Sequence, residues 1–288
     1  MCQGTNRFFR VEQCRIQYTT EIDNTQRLAV LRIVDFLSCA ILYYAVKCDI
    51  LILYDLKKEV TTMKLQTRLA VLVCKASGAV LRRLGRGGTN LPGKLALKID
   101  KNILGELSRG VKVTVVTGTN GKTTTSRMIE QAFADAGLKY FSNKSGANLL
   151  TGIIAVFAQH STLSGKCPYT HALIECDEAA FRKTSEYLPV ECLVVNNIFR
   201  DQLDRYGEIT HTLNAIREGI THVPNATLCL NADCSLTASL ADSVPNKIVW
   251  FGVNVPIYKE TAHELSDAPY CIHCKTEYEY DYITYGPL

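Results

Sequence analysis

Lys112-Val-Thr-Val-Val-Thr-Gly-Thr-Asn-Gly-Lys-Thr-Thr-Thr125 is the stretch on which the fold turns. Its first six residues are apolar or β-branched and predict a short buried strand. Gly118 and Gly121 follow at once, and residues 126–136 form a good helix sequence that Gly137 ends. Strand, glycine loop and helix in that order are the context that a phosphate-binding loop requires. The residue types fit the chemistry. Gly118 and Gly121 let backbone N–H groups approach phosphate oxygens without a Cβ in the way, and the helix N-terminus adds partial positive charge. Thr119, Asn120 and Thr124 complete the cradle, Lys122 would reach the terminal phosphates, and the Thr123 hydroxyl would ligate Mg²⁺.

Downstream, His171-Ala-Leu-Ile-Glu175 reads as a buried strand ending in a carboxylate, with Asp177 and Glu178 just before a helix expected at 179–187. Carboxylates at a strand end suit Mg²⁺, which prefers oxygen ligands. The same acids would also stabilise a solvated helix N-terminus. Cys192-Leu-Val-Val-Asn196 is the next strand. Strands alternate with helices from 112 to 251, which predicts an α/β fold with a mainly parallel sheet.

Upstream, the pattern changes at Met63. Lys64, Arg68, Lys75, Arg82 and Arg86 recur at helical spacing and fall within roughly 40° of one another around a helix. Leu65, Leu69, Leu72, Ala76 and Val80 form an adjacent apolar stripe, and Gly85, Gly87 and Gly88 stop the helix. Two readings stand: a helix packed on the domain with a solvated basic face, or a surface resting near anionic lipid or a lipid-linked phosphate. Residues 63–110 carry 10 basic and 2 acidic groups against 14 and 19 in 111–288, so the two segments have different jobs. Residues 1–62 lack such periodicity. Their uncharged run, 36–46, is only 11 residues long, short of the ~20 that a spanning helix needs. Lys57-Lys-Glu-Val60 just ahead of Met63 is what an in-frame ribosome-binding sequence would encode, so 1–62 is expected to be a mis-called upstream extension.

The 288 residues are 47% hydrophobic and 21% charged, which excludes general disorder. A net charge of +4 is too small to indicate a nucleic-acid partner. Twelve cysteines, mostly single within apolar runs and with no secretory signal ahead of them, predict reduced thiols in a cytoplasmic protein.

The short form Thr117-Gly-Thr-Asn-Gly-Lys-Thr123 departs from the general G-x-x-x-x-G-K-[ST] pattern, because Val116 stands where the first glycine belongs. It resembles instead the loop of the Mur ligase superfamily, the ATP-dependent amide-bond ligases of cell-wall and folate metabolism. The resemblance implies a P-loop-type central domain at 111–268, with Lys122 and Glu175 catalytic and Glu175 binding magnesium. Asn197-Ile-Phe-Arg-Asp-Gln-Leu-Asp-Arg-Tyr-Gly-Glu208 resembles the MurT branch, the ligase subunits of lipid II isoglutaminyl synthases. Here Asn196 replaces a usual Thr, and Gln202 replaces a His that helps hold a second metal. Arg200, Asp201, Asp204 and Arg205 would line the substrate crevice. Gly85 to Lys94, Asn143 to Asn148 and Leu230-Asn-Ala-Asp233 resemble the same branch, with Asn148 near phosphate and Cys234 in place of an Asp.

Cys271-Ile-His-Cys274 is a knuckle of zinc-ligand spacing, but structural zinc wants four ligands and no second pair follows before Leu288. MurT proteins carry a four-cysteine ribbon, so 269–288 is expected to be the first half of one, a Zn²⁺ half site, with the chain truncated inside it. By resemblance, the intact enzyme amidates the D-Glu α-carboxylate of lipid II in peptidoglycan biosynthesis, with ammonia from a GatD-type glutaminase subunit. Its place would be the cytoplasm, at the inner face of the membrane. Little activity is expected of this chain alone. The alternatives are a folylpolyglutamate-synthase-like ligase and a non-catalytic nucleotide-binding fragment.

Overall fold

The computed structural model describes residues 63–85, 90–143, 147–163, 167–199, 208–252 and 276. Among the described residues three helices come first: α1 (Leu65–Arg83), α2 (Asn90–Ile99) and α3 (Ile103–Leu107). An alternating series follows, of β1 (Lys112–Thr117), α4 (Lys122–Asp135), β2 (Tyr140–Ser142), α5 (Leu150–His160), β3 (His171–Glu175), α6 (Glu178–Thr184), β4 (Val190–Val195), α7 (Glu208–Thr221), β5 (Thr227–Asn231), α8 (Ser235–Ala238) and β6 (Lys247–Phe251). The six strands make one sheet in the order β2-β3-β1-β4-β5-β6. Every pairing is parallel, so the expected α/β class holds throughout the described sheet.

The strands are apolar on both faces because both faces are covered. Val113, Val115, Ala172, Ile174, Leu193 and Val195 point to a large core shared with the helices on one side. Val116, Leu173 and Val194 point the other way, against Ile129 and Phe133 of α4. The chain leaves β1 toward β2 and leaves β4 toward β5, in opposite directions. The crevice of an open parallel sheet lies where such connections diverge, here beyond the C-terminal ends of β1 and β4.

The glycine-loop helix begins at Lys122, four residues ahead of expectation. Its run of threonines is a poor helix former in isolation, yet it forms the first turn here. The helix at 179–187 is observed as Glu178–Thr184, and the strand at His171–Glu175 falls where it was read.

Helix α1 corrects the sequence reading in one respect. It does pack on the domain, but through Thr67, Ala70, Val71, Cys74 and Gly78. Leu65, Leu69, Leu72 and Val80 of the apolar stripe are exposed. Small residues win the inner face because α2 approaches closely there. Thr67 Oγ1 donates to the buried Asp100 carboxylate at 2.5 Å, which ties α1 to the end of α2. Lys75 Nζ donates to the Ser161 carbonyl at 2.6 Å, which ties it to the end of α5.

Among the described residues Cys74, Cys167, Cys176, Cys192, Cys229 and Cys234 are all free thiols. Burial pushes the Cys74 thiol up to about 11 and the Cys176 thiol up to about 12, from an ordinary value of 9.0. Only the thiolate is an efficient nucleophile, so iodoacetamide at pH 8 is expected to leave both unmodified until the chain is denatured, as read by peptide mass spectrometry. Linkage gives a second readout. Both protons are held in the folded state after the unfolded chain has released them, so stability is retained below about pH 9 and lost as the pH climbs toward 11–12.

Candidate functional site

Gly118 leaves β1 at φ +124° and Gly121 enters α4 at φ +79°. Both are backbone conformations that side chains resist. At Gly118 space excludes a side chain as well: a Cβ would lie 2.8 Å from the Asn197 carbonyl oxygen and 2.9 Å from its nitrogen. The loop is pressed that closely against the segment that follows β4. Thr119 N–H donates to the Asn197 carbonyl at 2.9 Å, and Asn120 N–H to the Asn197 side-chain oxygen at 2.8 Å. The Asn196 and Asn197 side-chain amides both donate to the Asn120 carbonyl at 3.2 Å. Asn231, at the end of β5, donates in turn to the Asn196 carbonyl at 2.8 Å. Three asparagines on adjacent strand ends thus hold one loop.

No side chain caps α4, so the N–H groups of its first turn, 122–124, have no partner within the helix. Helix α6 makes the contrast: the Asp177 carboxylate accepts from Ala179 and Ala180 N–H at 3.0 and 3.1 Å. Both bonds go to Oδ1, so one oxygen of Asp177 serves as the cap.

The other two acids converge on the loop. Glu175, at the end of β3, accepts from Thr123 Oγ1 at 3.0 Å. Glu178 pairs with Lys122 Nζ at 3.2 Å, both side chains being largely buried. Lys122 also donates to the Gly118 carbonyl at 2.6 Å, so its ammonium curls back over the loop. Glu175 is held by a residue that sequence reading left outside the site. Asn143, at the end of β2, accepts from the Glu175 N–H at 2.7 Å and donates to the Glu175 carbonyl at 2.7 Å. Asn148 lies beside α6, its carbonyl accepting from Asp177 N–H at 3.1 Å.

Gly118, Thr119, Asn120, Gly121, Lys122, Thr123, Glu175 and Glu178 therefore stand together at the crevice. Arg200, Asp201, Asp204, Arg205 and Gln202, and Cys271 and Cys274, lie outside the described residues. Among the described residues no three His, Cys, Asp or Glu side chains cluster as a metal site. The donor set that is present, a carboxylate and a hydroxyl beside a loop of amides, suits Mg²⁺, a hard cation that keeps several waters and takes few protein ligands. A separate cleft between Lys112, Pro189, Glu191 and His222 sits at the other end of the sheet, away from these groups. Among the described residues no helix is long and apolar enough to cross a membrane.

Residues 116–276 match the Mur ligase middle domain. The chain is 39% identical to the MurT subunit of lipid II isoglutaminyl synthase from Streptococcus pneumoniae, over 78% of this chain and 50% of that protein. Against the MurT subunit from Staphylococcus aureus the identity is 35%, over 76% and 48%. The chain thus spans about half the length of the curated relatives it matches. A crystal structure of MurF from Acinetobacter baumannii superposes on 56% of this chain and 35% of that one, with a TM-score of 0.47 and 21% identity. The family match and the identity to the MurT subunits show that the chain belongs to the Mur ligase family, with residues 116–276 as its middle domain.

Proposed function

We propose that this chain is the ATP-binding part of a carbon–nitrogen ligase that amidates the D-Glu α-carboxylate of lipid II, with ammonia supplied by a glutaminase subunit. The nucleotide half of the reading is carried by one observation, the Thr123–Glu175 contact of 3.0 Å beside an uncapped helix end and Lys122. The acceptor half is supported by the 39% identity to a MurT subunit over most of this chain.

The chemistry follows from the positions. The triphosphate lies along Gly118 to Thr124, its β- and γ-oxygens taking the first-turn amides of α4 and the Lys122 ammonium. Thr123 and Glu175 would hold Mg²⁺, which would neutralise developing charge on the phosphate oxygens. The acceptor carboxylate attacks the γ-phosphorus, ADP leaves, and an acyl phosphate forms. Ammonia then attacks the acyl carbon, loses a proton and expels phosphate. Lys122 contributes by stabilising charge on the transferring phosphoryl group. Asn143, Asn196 and Asn197 keep these groups where they are needed.

Two measurements test the two halves. By calorimetry, removing magnesium with EDTA is expected to lower ATP affinity roughly tenfold in the parent chain, with no further loss in Glu175→Gln, whose own affinity is already at the lowered value. A magnesium effect of equal size in both would remove Glu175 from the metal. For the acceptor, the chain together with the remaining length found in its relatives and a glutaminase is expected to convert a lipid II analogue to its amide with glutamine and ATP. Turnover of a folate in place of lipid II would favour the folylpolyglutamate-type alternative.

A further inference from the structure

Helix α1 carries two features that ATP binding does not use. At 100° per residue, the ridge Leu65, Leu69, Leu72, Ala76 and Val80 is centred about 180° from the buried line through Thr67, Ala70, Val71, Cys74 and Gly78. The ridge therefore faces straight out, with Leu65 82%, Leu69 51%, Leu72 49% and Val80 56% exposed. Leu84, just past the helix, is 68% exposed. The second feature is charge. Lys64, Arg68 and Arg82 are exposed and run in a row along one flank of the ridge. From Met63 to Ile99 there are eight Lys and Arg and no Asp or Glu. The first carboxylate after Met63, Asp100, is buried against Thr67, so among the described residues α1 and α2 add no exposed negative group to this surface.

An apolar ridge bordered by cations without a single acid matches an anionic bilayer. The leucines enter the acyl boundary, and the long basic side chains reach the phosphates beside it. A protein partner of ordinary composition would call for charges of both signs around the ridge. At 19 residues, α1 is about 28 Å long, and with one buried face it lies along a membrane instead of crossing it. Its direction also suits a lipid-linked acceptor. Gly78 meets Pro92, and Gly93 meets Thr151, three residues past Asn148. The Arg82 end of α1 therefore lies toward the end of the sheet that bears the glycine loop, where α5 begins.

We propose that the outer face of α1 is a bilayer-docking surface, its leucine ridge inserted in an anionic leaflet and Lys64, Arg68 and Arg82 on the lipid phosphates. It rests on the ligase reading only for its purpose, which is to meet a membrane-held acceptor, and it is tested without catalysis. The full chain is mixed with vesicles of phosphatidylglycerol or of phosphatidylcholine and sedimented. Binding is expected with phosphatidylglycerol alone. The triple variant Lys64→Glu, Arg68→Glu, Arg82→Glu should weaken it by on the order of 100-fold or more, since each cation near an anionic surface accounts for about fivefold. Leu69→Gln with Leu72→Gln should release the protein as well. All these positions are exposed, and unchanged ATP binding by calorimetry shows that the variants are folded. As a probe of depth, Leu72→Trp is placed in a Trp250→Phe background, Trp250 being the chain's sole tryptophan. Its fluorescence should shift to the blue with vesicles and be quenched by brominated lipid.

Three results would overturn the proposal. The chain could stay in the supernatant with phosphatidylglycerol, or the variants could bind as the parent does. Alternatively, the indole of the Leu72→Trp variant could be shielded from iodide before any lipid is added, because a second copy (seen as a dimer by light scattering) or another segment of the chain covers the ridge. Absence of ATP binding with vesicle binding intact would instead reject the ligase reading and leave this one standing.

Discussion

Lys122→Ala is expected to lower affinity for Mg-ATP by at least on the order of 100-fold in calorimetry, while the melting curve changes little. Two charge-assisted contacts to phosphate, at about 1.5–3 kcal/mol each, set that scale. In the free protein the Lys122 ammonium is spent on the Gly118 carbonyl at 2.6 Å and the Glu178 carboxylate at 3.2 Å. The phosphates must take it from both. Removing it leaves the loop without its cation and Glu178 facing incoming negative charge, so two losses add. Arginine should not restore binding, because a planar fork cannot occupy the space in which the ammonium folds over the loop. Glu178→Gln should act in the opposite sense. With no carboxylate competing for Lys122, ATP is expected to bind roughly two- to fivefold more tightly. A Glu178→Gln variant that binds more weakly would make Glu178 a ligand of the bound complex in place of a stand-in for phosphate. A Lys122→Ala variant that binds as the parent does would end the phosphate-loop reading.

The core of this site was legible because its signals are local. Two glycines around a Thr-Asn pair, between an apolar run and a helix, need no knowledge of the remainder of the fold. Glu175 was legible for a similar reason, as a carboxylate at the end of a continuous apolar run. The clamps were not. Asn196, Asn197 and Asn231 stand at the ends of β4 and β5 and hold the loop, whereas Asn143 follows β2 and holds Glu175; only the order β2-β3-β1-β4-β5 brings these strand ends to one site. A side-chain amide at a strand end is the signal they share, and sequence spacing does not say which loop it will hold. Asp177 carries a second, positional signal: it precedes α6 by one residue, where one oxygen of an aspartate caps the helix.

Helix α1 shows why amphipathic periodicity found the element but not its orientation. The spacing of its leucines and cations locates the helix to within a few residues. It does not say that the inner face would belong to alanine, threonine, cysteine and glycine, because hydrophobicity ranks leucine as the buried residue. What inverts the ranking is the closeness of the neighbouring helix α2, which is itself seated on α5 through another glycine, Gly93.

That glycine yields the largest effect on stability. Gly93→Ala is expected to destabilise the fold by about 3 kcal/mol or more and to lower its Tm by roughly 10 °C. Gly93 is buried in α2 where that helix crosses the beginning of α5. A Cβ there would lie 1.7 Å from the Thr151 carbonyl oxygen and 2.6 Å from its carbon. Both are backbone atoms, so no rotamer change relieves the overlap and the helices must part by more than an ångström. The start of α5 is itself tightly seated, because a Cβ at its own Gly152 would lie 2.7 Å from the Ala147 Cα. The displacement would also loosen α1, which rests on α2. Gly78 supplies the control within the same helix layer. A Cβ at Gly78 would meet the Arg82 guanidinium at 3.6 Å and the Pro92 ring at 3.8 Å, both ordinary contacts. Gly78→Ala should therefore stabilise the protein by about 0.5–1 kcal/mol, the usual gain when alanine replaces a helical glycine. Opposite signs at two glycines of one helix pair are hard to obtain from composition or propensity. Thermal melts that moved in the same direction for both would mean that α2 does not cross α5 this closely.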